Sequence, residues 1–119
     1  MNLQTNYMGL TLKNPIIIGS SGLTDSVDKI KNLADNQAGA VVVKSLFEEQ
    51  ILMEVSKTYS NNQHGYQDSY DYLNNYTKYD SLEQHLRLIE DSKKAVDIPI
   101  IASINCISPA EWINYTKNF

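Results

Sequence analysis

Three short stretches of this chain are continuously apolar: Pro15-Ile16-Ile17-Ile18, Ala40-Val41-Val42-Val43 and Pro99-Ile100-Ile101-Ala102. They do not alternate with polar residues, and β-branched side chains dominate them. Strands buried on both faces read this way, so the pattern predicts a parallel sheet covered by helices. Between and after the strands the apolar positions recur at helical spacing. Val27, Ile30, Leu33 and Ala34 share one face of a helix that Asp25 can cap, with Gly39 suited to its exit. Ser45-Leu46-Phe47-Glu48 has the form of a capping box, followed by Phe47, Ile51 and Val55 at i, i+4 and i+8. Ser81-Leu82-Glu83-Gln84 is a second such box, leading into Leu82, Leu86, Ile89 and Val96. A third is Ser108-Pro109-Ala110-Glu111, with proline at the favoured first helical position.

The predicted order is therefore β-α-β-α-β-α, preceded by a small hairpin around Leu3–Tyr7 and Leu10–Leu12. One stretch breaks the rhythm. Residues 60–80 run from Ser60-Asn61-Asn62-Gln63-His64-Gly65 into a tract holding Tyr66, Tyr70, Tyr72, Tyr76 and Tyr79. It reads as a long Tyr-rich excursion carrying at most one short helix.

Bulk properties narrow the classes. With 119 residues, 42% hydrophobic and 20% charged, the chain has the composition of one globular domain, and collagen-like, low-complexity and disordered classes are excluded. It is too short for a complete large barrel, which takes roughly 250 residues. The net charge of -4 and the lack of a basic stripe argue against nucleic acid. No apolar run approaches the roughly 20 residues of a membrane span, and Met1 to Leu10 does not read as a signal peptide. A single cysteine, Cys106, can form neither an internal disulfide nor a zinc site alone. A soluble, cytoplasmic chain is expected, with no metal.

In parallel α/β folds, ligands bind at the carboxyl ends of the strands. The first strand is followed by Gly19-Ser20-Ser21-Gly22, the second by Lys44-Ser45, and the third by Ser103-Ile104-Asn105-Cys106. Small and polar groups thus converge on one rim beside a lysine, which suits a flat, polar cofactor: bare backbone approaches the ring and a cation offsets its charge. Each group also has a purely structural reading. Gly19 and Gly22 serve a tight βα turn, Ser45 and Ser108 serve as helix caps, and Lys44 is a surface lysine unless its apolar neighbours direct it across the rim. Cys106 reads as a small buried filler, because no nearby His or basic residue would activate it. His64 and His85 lack partners at metal-ligand spacing. Glu48, Glu49 and Glu54 mark a solvated helix face, with Glu48 also a cap. Gly19 to Gly22 matches neither the dinucleotide fingerprint nor the phosphate-loop pattern.

Asn14-Pro15-Ile16-Ile17-Ile18-Gly19-Ser20-Ser21-Gly22, then Ala38-Gly39-Ala40-Val41-Val42-Val43-Lys44-Ser45, then Ile101-Ala102-Ser103-Ile104 together resemble the opening of the class 1 dihydroorotate dehydrogenases. The resemblance covers about residues 3–119 and is strongest to the N-terminal third of the bacterial dihydroorotate dehydrogenase-like proteins. It implies the N-terminal portion of a TIM (β/α)8 barrel, about three βα units plus the hairpin. It also implies FMN as cofactor, oxidation of dihydroorotate to orotate in pyrimidine biosynthesis, and a parent enzyme that passes hydride to the flavin. By the same resemblance Ser20, Ser21 and Gly22 lie along the flavin and its ribityl chain. Lys44 sits between flavin and substrate with Ser45 beside it, and Ser103 and Asn105 edge the flavin. The family's substrate loop after the second strand has no counterpart here, which leaves the substrate open. The catalytic base and the phosphate-binding loops fall beyond Phe119 in that pattern, so no catalytic residue is expected here and the chain alone should turn over little. Cys106 does not correspond to the family's catalytic cysteine.

Two other functions fit the same residues. Lys44 at a strand end could form a Schiff base, as in aldolase-type lyases. Alternatively, a half-barrel with an open sheet edge and uncovered apolar faces would act as a non-catalytic assembly module. A small-molecule substrate and a homo-oligomer are the expected partners.

Overall fold

Met8 and Gly9 both take positive φ, 49° and 78°. That is the backbone of a two-residue type I′ turn, whose twist matches the strands it joins. It links β1 (Thr5–Tyr7) to β2 (Leu10–Leu12) in antiparallel register, Thr5 opposite Leu12 and Tyr7 opposite Leu10. The hairpin lies where the sequence pattern places it, anchored by the buried Leu12. The structure is a computed structural model that describes residues 1–61 and 67–118. His64 and Tyr66, singled out above, lie outside the described residues.

The chain divides into two compact units: Met1–Ser45 with Leu86–Ser103, and Leu46–His85 with Ile104–Phe119. In the first, β3 (Ile17–Ile18), β4 (Ala40–Val42) and β6 (Ile100–Ile101) form a parallel sheet in the order β3-β4-β6. Ile18 pairs with Val41, and Val41 with Ile100. Consecutive residues of a strand face opposite sides, and Ala40 and Val41 are both fully buried. The central strand is therefore covered on both faces, as its unbroken apolar run implies. Ile30, Ala38, Val41, Val43 and Ile98 make the core, with Leu33, Leu88 and Ile89 packed against it.

Helix α1 (Val27–Asp35) supplies Ile30 and Leu33 from its apolar face. Its N-cap is Ser26 rather than the expected Asp25, and Ser26 makes no side-chain capping bond. Asp25 instead pairs with Lys29 one turn on, at 2.7 Å. Its exit also differs from expectation. Gln37, not Gly39, holds the left-handed position, with φ 70°. The Ala38 N–H donates to Leu33 O and the Gln37 N–H to Ala34 O, the two bonds of a Schellman cap. Gly39 is required for a different reason. A methyl at that position would sit 2.3 Å from Asn14 O and 3.0 Å from Ile16 O, and the Gly39 N–H donates to Ile16 O at 2.8 Å. The glycine lets the start of β4 press against the start of β3. Asn14 closes the same junction, donating through Nδ2 to Gln37 O and accepting the Ile16 N–H through Oδ1.

The second unit has a two-stranded parallel sheet, β5 (Leu46–Phe47) with β7 (Ile104–Asn105). Leu46, Ile51, Cys106 and Tyr115 form its core, with Leu82 and Ile104 packed against them. Because β5 runs directly into α2 (Glu48–Asn61), Ser45 is two residues short of the helix and does not cap it. Helix α3 spans Gln67–Ala95, 29 residues, running unbroken from the Tyr-rich stretch, where the sequence pattern gives at most a short helix, through the helix expected to start separately at Ser81. No glycine or proline interrupts that span, so nothing stops propagation once packing holds it. Ser81 consequently lies inside α3 and starts nothing. Along α3, Tyr72, Tyr76 and Tyr79 are exposed, and the rings of Tyr72 and Tyr76 stack at 6.4 Å. Helix α4 (Pro109–Asn118) begins as expected, with Pro109 at its first position and Ser108 Oγ accepting the Glu111 N–H at 3.3 Å.

The architecture is thus mixed α/β with small parallel sheets and no closed barrel among the described residues. No helix among those residues is long and apolar enough to cross a membrane.

Candidate functional site

The carboxyl ends of β3, β4 and β6 are tied together by hydroxyl groups. Ser45 Oγ lies 3.0 Å from Ser20 Oγ and 2.5 Å from Ser103 Oγ, sharing a hydrogen bond with each. The Ser45 N–H also donates to Ser20 Oγ at 2.8 Å. One serine follows each strand, so a parallel sheet brings to one edge residues as far apart in sequence as Ser20 and Ser103. The serine expected to cap a helix is instead the centre of this chain of hydroxyls.

The backbone explains why Ser45 is available. Up to Val43 the second strand bonds to its sheet neighbour, the Val43 N–H donating to Ile101 O at 2.9 Å. The next two N–H groups turn to the loop after β3: Lys44 donates to Thr24 O at 3.0 Å, and Ser45 to Ser20. The loop is stiffened by Thr24, which is fully buried. Thr24 Oγ1 accepts the Ser21 N–H and donates to Ser21 O, and the Thr24 N–H donates to the same carbonyl. Thr24 was not among the residues that the sequence pattern brought forward. Its signal is a threonine three residues after a serine in a short loop, a local side-chain-to-backbone turn.

The other candidates are placed as follows. Ser21 uses its own Oγ to accept the Leu23 N–H. Gly19 and Gly22 are exposed, neither has positive φ, and a methyl on either would meet nothing within 4 Å. A strained tight turn is therefore not why glycine stands there; the bare backbone leaves the rim open. The side chain of Lys44 is exposed. The apolar setting that its hydrophobic neighbours suggest, and that a Schiff-base lysine needs, is not found: β4 ends at Val42, two residues before Lys44. Asp25 is held below its ordinary value, first by its hydrogen bond to Lys29, with Lys29 and Lys44 adding their charges. Asn105 lies on β7 in the second unit and is exposed.

That second unit holds a charged cluster which the sequence pattern had as a solvated face. Glu48 is only 3% exposed. Its Oε2 accepts the backbone N–H groups of Ile107 at 2.6 Å and Ser108 at 3.2 Å. Lys78 Nζ lies 3.5 Å from Glu48 and 2.9 Å from Glu111. Glu48 thus satisfies the N-terminus of α4 rather than of its own helix. Burial alone would push its carboxyl up, but the two N–H donors and Lys78 outweigh that and hold it below the usual glutamate value. Burial likewise works against the Lys78 ammonium, which Glu111 and Glu48 keep above its ordinary value. Cys106 is buried nearby in sequence, its thiol pushed up by burial and then by the charges of Glu48 and Glu111. Its place in the core of the second unit is that of the small buried filler expected. Tyr115, also buried, is pushed up to about 12, first by burial. Among the described residues no three His, Cys, Asp or Glu side chains gather as a metal site.

Comparison with known proteins adds one relative. Over 112 residues the chain is 30% identical to dihydroorotate dehydrogenase B (NAD(+)), catalytic subunit, of Methanocella arvoryzae. The match covers 94% of this chain and 35% of the relative, so the chain spans about a third of that protein's length. No protein-family model matches the chain, and no solved structure matches it.

Proposed function

We propose that this chain is the N-terminal part of a (β/α)8-barrel oxidoreductase related to the dihydroorotate dehydrogenases, and that the rim after β3, β4 and β6 holds FMN. The observation that carries the reading is the Ser20–Ser45–Ser103 chain of hydroxyls at the carboxyl edge of a parallel sheet. It stands beside a loop whose glycines leave open space. The similarity to a dihydroorotate dehydrogenase catalytic subunit supports the same reading. When bound, the flavin supplies hydride acceptance from a small-molecule substrate.

This chain's residues fit such a group in three ways. The bare backbone at Gly22 admits the edge of a flat ring or its side chain without a steric cost. Ser20, Ser45 and Ser103 offer hydroxyls that both donate and accept, which suits the mixed donor and acceptor rim of a flavin. Lys44, exposed at the same edge, contributes positive charge for an anionic ring or a substrate carboxylate. Ser21 completes the proposed set within the first unit. The substrate stays broader than dihydroorotate, because by the resemblance the Tyr-rich stretch stands in place of that family's substrate loop after the second strand. The dehydrogenase activity belongs to the longer protein, with this chain as cofactor-binding portion.

Flavin fluorescence quenching tests the proposal. The chain is expected to quench FMN saturably. Gly22→Leu should weaken binding about tenfold, and Gly22→Ala should leave the thermal melt unchanged, since a methyl there meets nothing within 4 Å. Ser45→Ala should weaken binding comparably. An unquenched titration, or a Gly22→Leu chain that binds FMN as tightly as the original, would defeat the assignment.

A further inference from the structure

A lysine in the first turn of a helix stands against the helix dipole, which favours acidic side chains there. Helix α1 starts at Val27, and Lys29 is its third residue. What the position gains is reach back over the loop that precedes the helix. Lys29 Nζ donates to the Gly22 carbonyl at 2.8 Å and to Asp25 Oδ1 at 2.7 Å. The ammonium is thus shared between the backbone of the rim loop and a carboxylate just before the helix. Lys29 is seven residues from Gly22, so this bond ties the loop to α1.

With that bond, the peptides on both sides of Gly22 are fixed. The Ser21 carbonyl accepts from the Thr24 N–H and from Thr24 Oγ1, both at 3.1 Å. The next peptide has its carbonyl on Lys29 and its N–H, that of Leu23, on Ser21 Oγ at 3.2 Å. A trans peptide points its C=O and N–H in opposite directions, and there is no cis bond among the described residues. Held by Thr24 on its carbonyl side, the Ser21–Gly22 peptide therefore turns the Gly22 N–H away from that buried threonine. A glycine has no side chain to pack, and a methyl at Gly22 would meet nothing within 4 Å. Its place at the rim thus rests on these polar contacts, of which Lys29 is the one supplied by the helix.

We propose that Lys29 is a positioning residue for the cofactor rim: through the Gly22 carbonyl it holds the loop after β3 in the shape that admits the flavin, with Asp25 keeping the ammonium in place. This inference rests on the FMN reading above. The effect is preorganisation, since a ligand that meets an ordered loop is spared the cost of ordering it. Lys29 acts through the Gly22 peptide and not by contact with the ligand. Its side chain is 50% exposed, so the bond is one of modest strength made in reach of water.

Flavin titration of variants, combined with amide hydrogen exchange, is the test. Lys29→Met should weaken FMN binding about fivefold, the size of one modest hydrogen bond. Lys29→Arg, which keeps a cationic donor, should recover most of that loss. Lys31→Met removes the same charge from an exposed position of the same helix. It should leave the affinity unchanged, which separates positioning from plain attraction of an anion. In the flavin-free chain, Lys29→Met should quicken exchange at the Leu23 amide about fivefold, with the thermal melt nearly unchanged. A Lys29→Met chain that binds FMN as tightly as the original overturns the proposal and leaves the flavin reading standing. So does a Lys31→Met chain that loses as much, a Lys29→Arg chain as weak as Lys29→Met, or a Leu23 amide indifferent to Lys29. An original chain that does not quench FMN at all defeats the flavin reading and this inference together.

Discussion

Removing the Glu48 carboxylate tests the structure of the second unit most directly. In Glu48→Ala the Ile107 and Ser108 N–H groups lose an acceptor at 2.6 and 3.2 Å, and Lys78 loses one of its two carboxylates. Hydrogen bonds to a charged acceptor are worth about 1.5–3 kcal/mol each. Water can reach the Ile107 turn, whose side chain is exposed, and Lys78 keeps Glu111 at 2.9 Å. The net cost is therefore about 3 kcal/mol rather than the sum of the parts. Glu48→Gln keeps a carbonyl for the shorter bond and loses only the charge, a cost of about 1.5 kcal/mol. Amide hydrogen exchange at Ile107 and Ser108 reads the effect locally: a 3 kcal/mol loss corresponds to about 150-fold faster exchange from the opened state. The pH dependence has a definite sign. Glu48 is held below its ordinary 4.5, so its contribution is present above that value and is lost as pH falls through the lower, folded-state one. The gap between the original chain and Glu48→Gln should be full at pH 7 and close in strong acid. Exchange rates within about threefold of the original in Glu48→Ala would refute the reasoning. So would a gap that does not change with pH.

Other positions give separate outcomes. Gln37 pays for a φ of 70° that glycine adopts freely, so Gln37→Gly should stabilise the first unit by about 0.5–1 kcal/mol in urea unfolding. Gly39→Ala forces a methyl within 2.3 Å of backbone oxygen, and should cost about 3 kcal/mol and raise exchange at its own N–H, which pairs with Ile16. Cys106 should react with a thiol reagent only slowly in the folded chain and at once in denaturant, since burial and two carboxylates raise its thiol; rapid labelling of the native chain would count against its placement.

Much of the first unit is written in local pattern. Ala40 to Val43 are apolar at every position because the central strand is covered on both faces, and any reading of period and β-branching finds it. The hairpin and the Ser108-Pro109 helix start are equally local, each decided within four residues. Helix α3 was less legible for a physical reason. Its first half is rich in Tyr, Asn and Ser, residues with modest helix propensity, and Tyr72, Tyr76 and Tyr79 are exposed along it. What sustains it is the lack of any glycine or proline together with packing at Leu82, Leu88 and Ile89. Asp25 does not cap α1 because the helix starts at Val27 with Ser26 in the cap position, and the Asp25 carboxylate pairs with Lys29 instead.

The site divides along the same line. That Ser20, Ser45 and Ser103 would share an edge follows from strand order alone, since a parallel sheet aligns the ends of its strands. What each serine does there depends on partners far away in sequence. Ser45-Leu46-Phe47-Glu48 satisfies the local rule for a helix start, yet Leu46 and Phe47 pair with Ile104 and Asn105 and are held extended. Extending those two residues moves the helix start to Glu48. It leaves Ser45 to bond Ser103, 58 residues on, and frees Glu48 to cap α4, 59 and 60 residues on. A single non-local strand pairing thus converts one apparent capping box into two separate features, the hydroxyl edge of the first unit and the charged cluster of the second. Breaking that pairing, for example with Ile104→Pro, should therefore disturb both the Ser45 environment and the Ile107 amide. A purely local cap at Ser45 would leave both untouched.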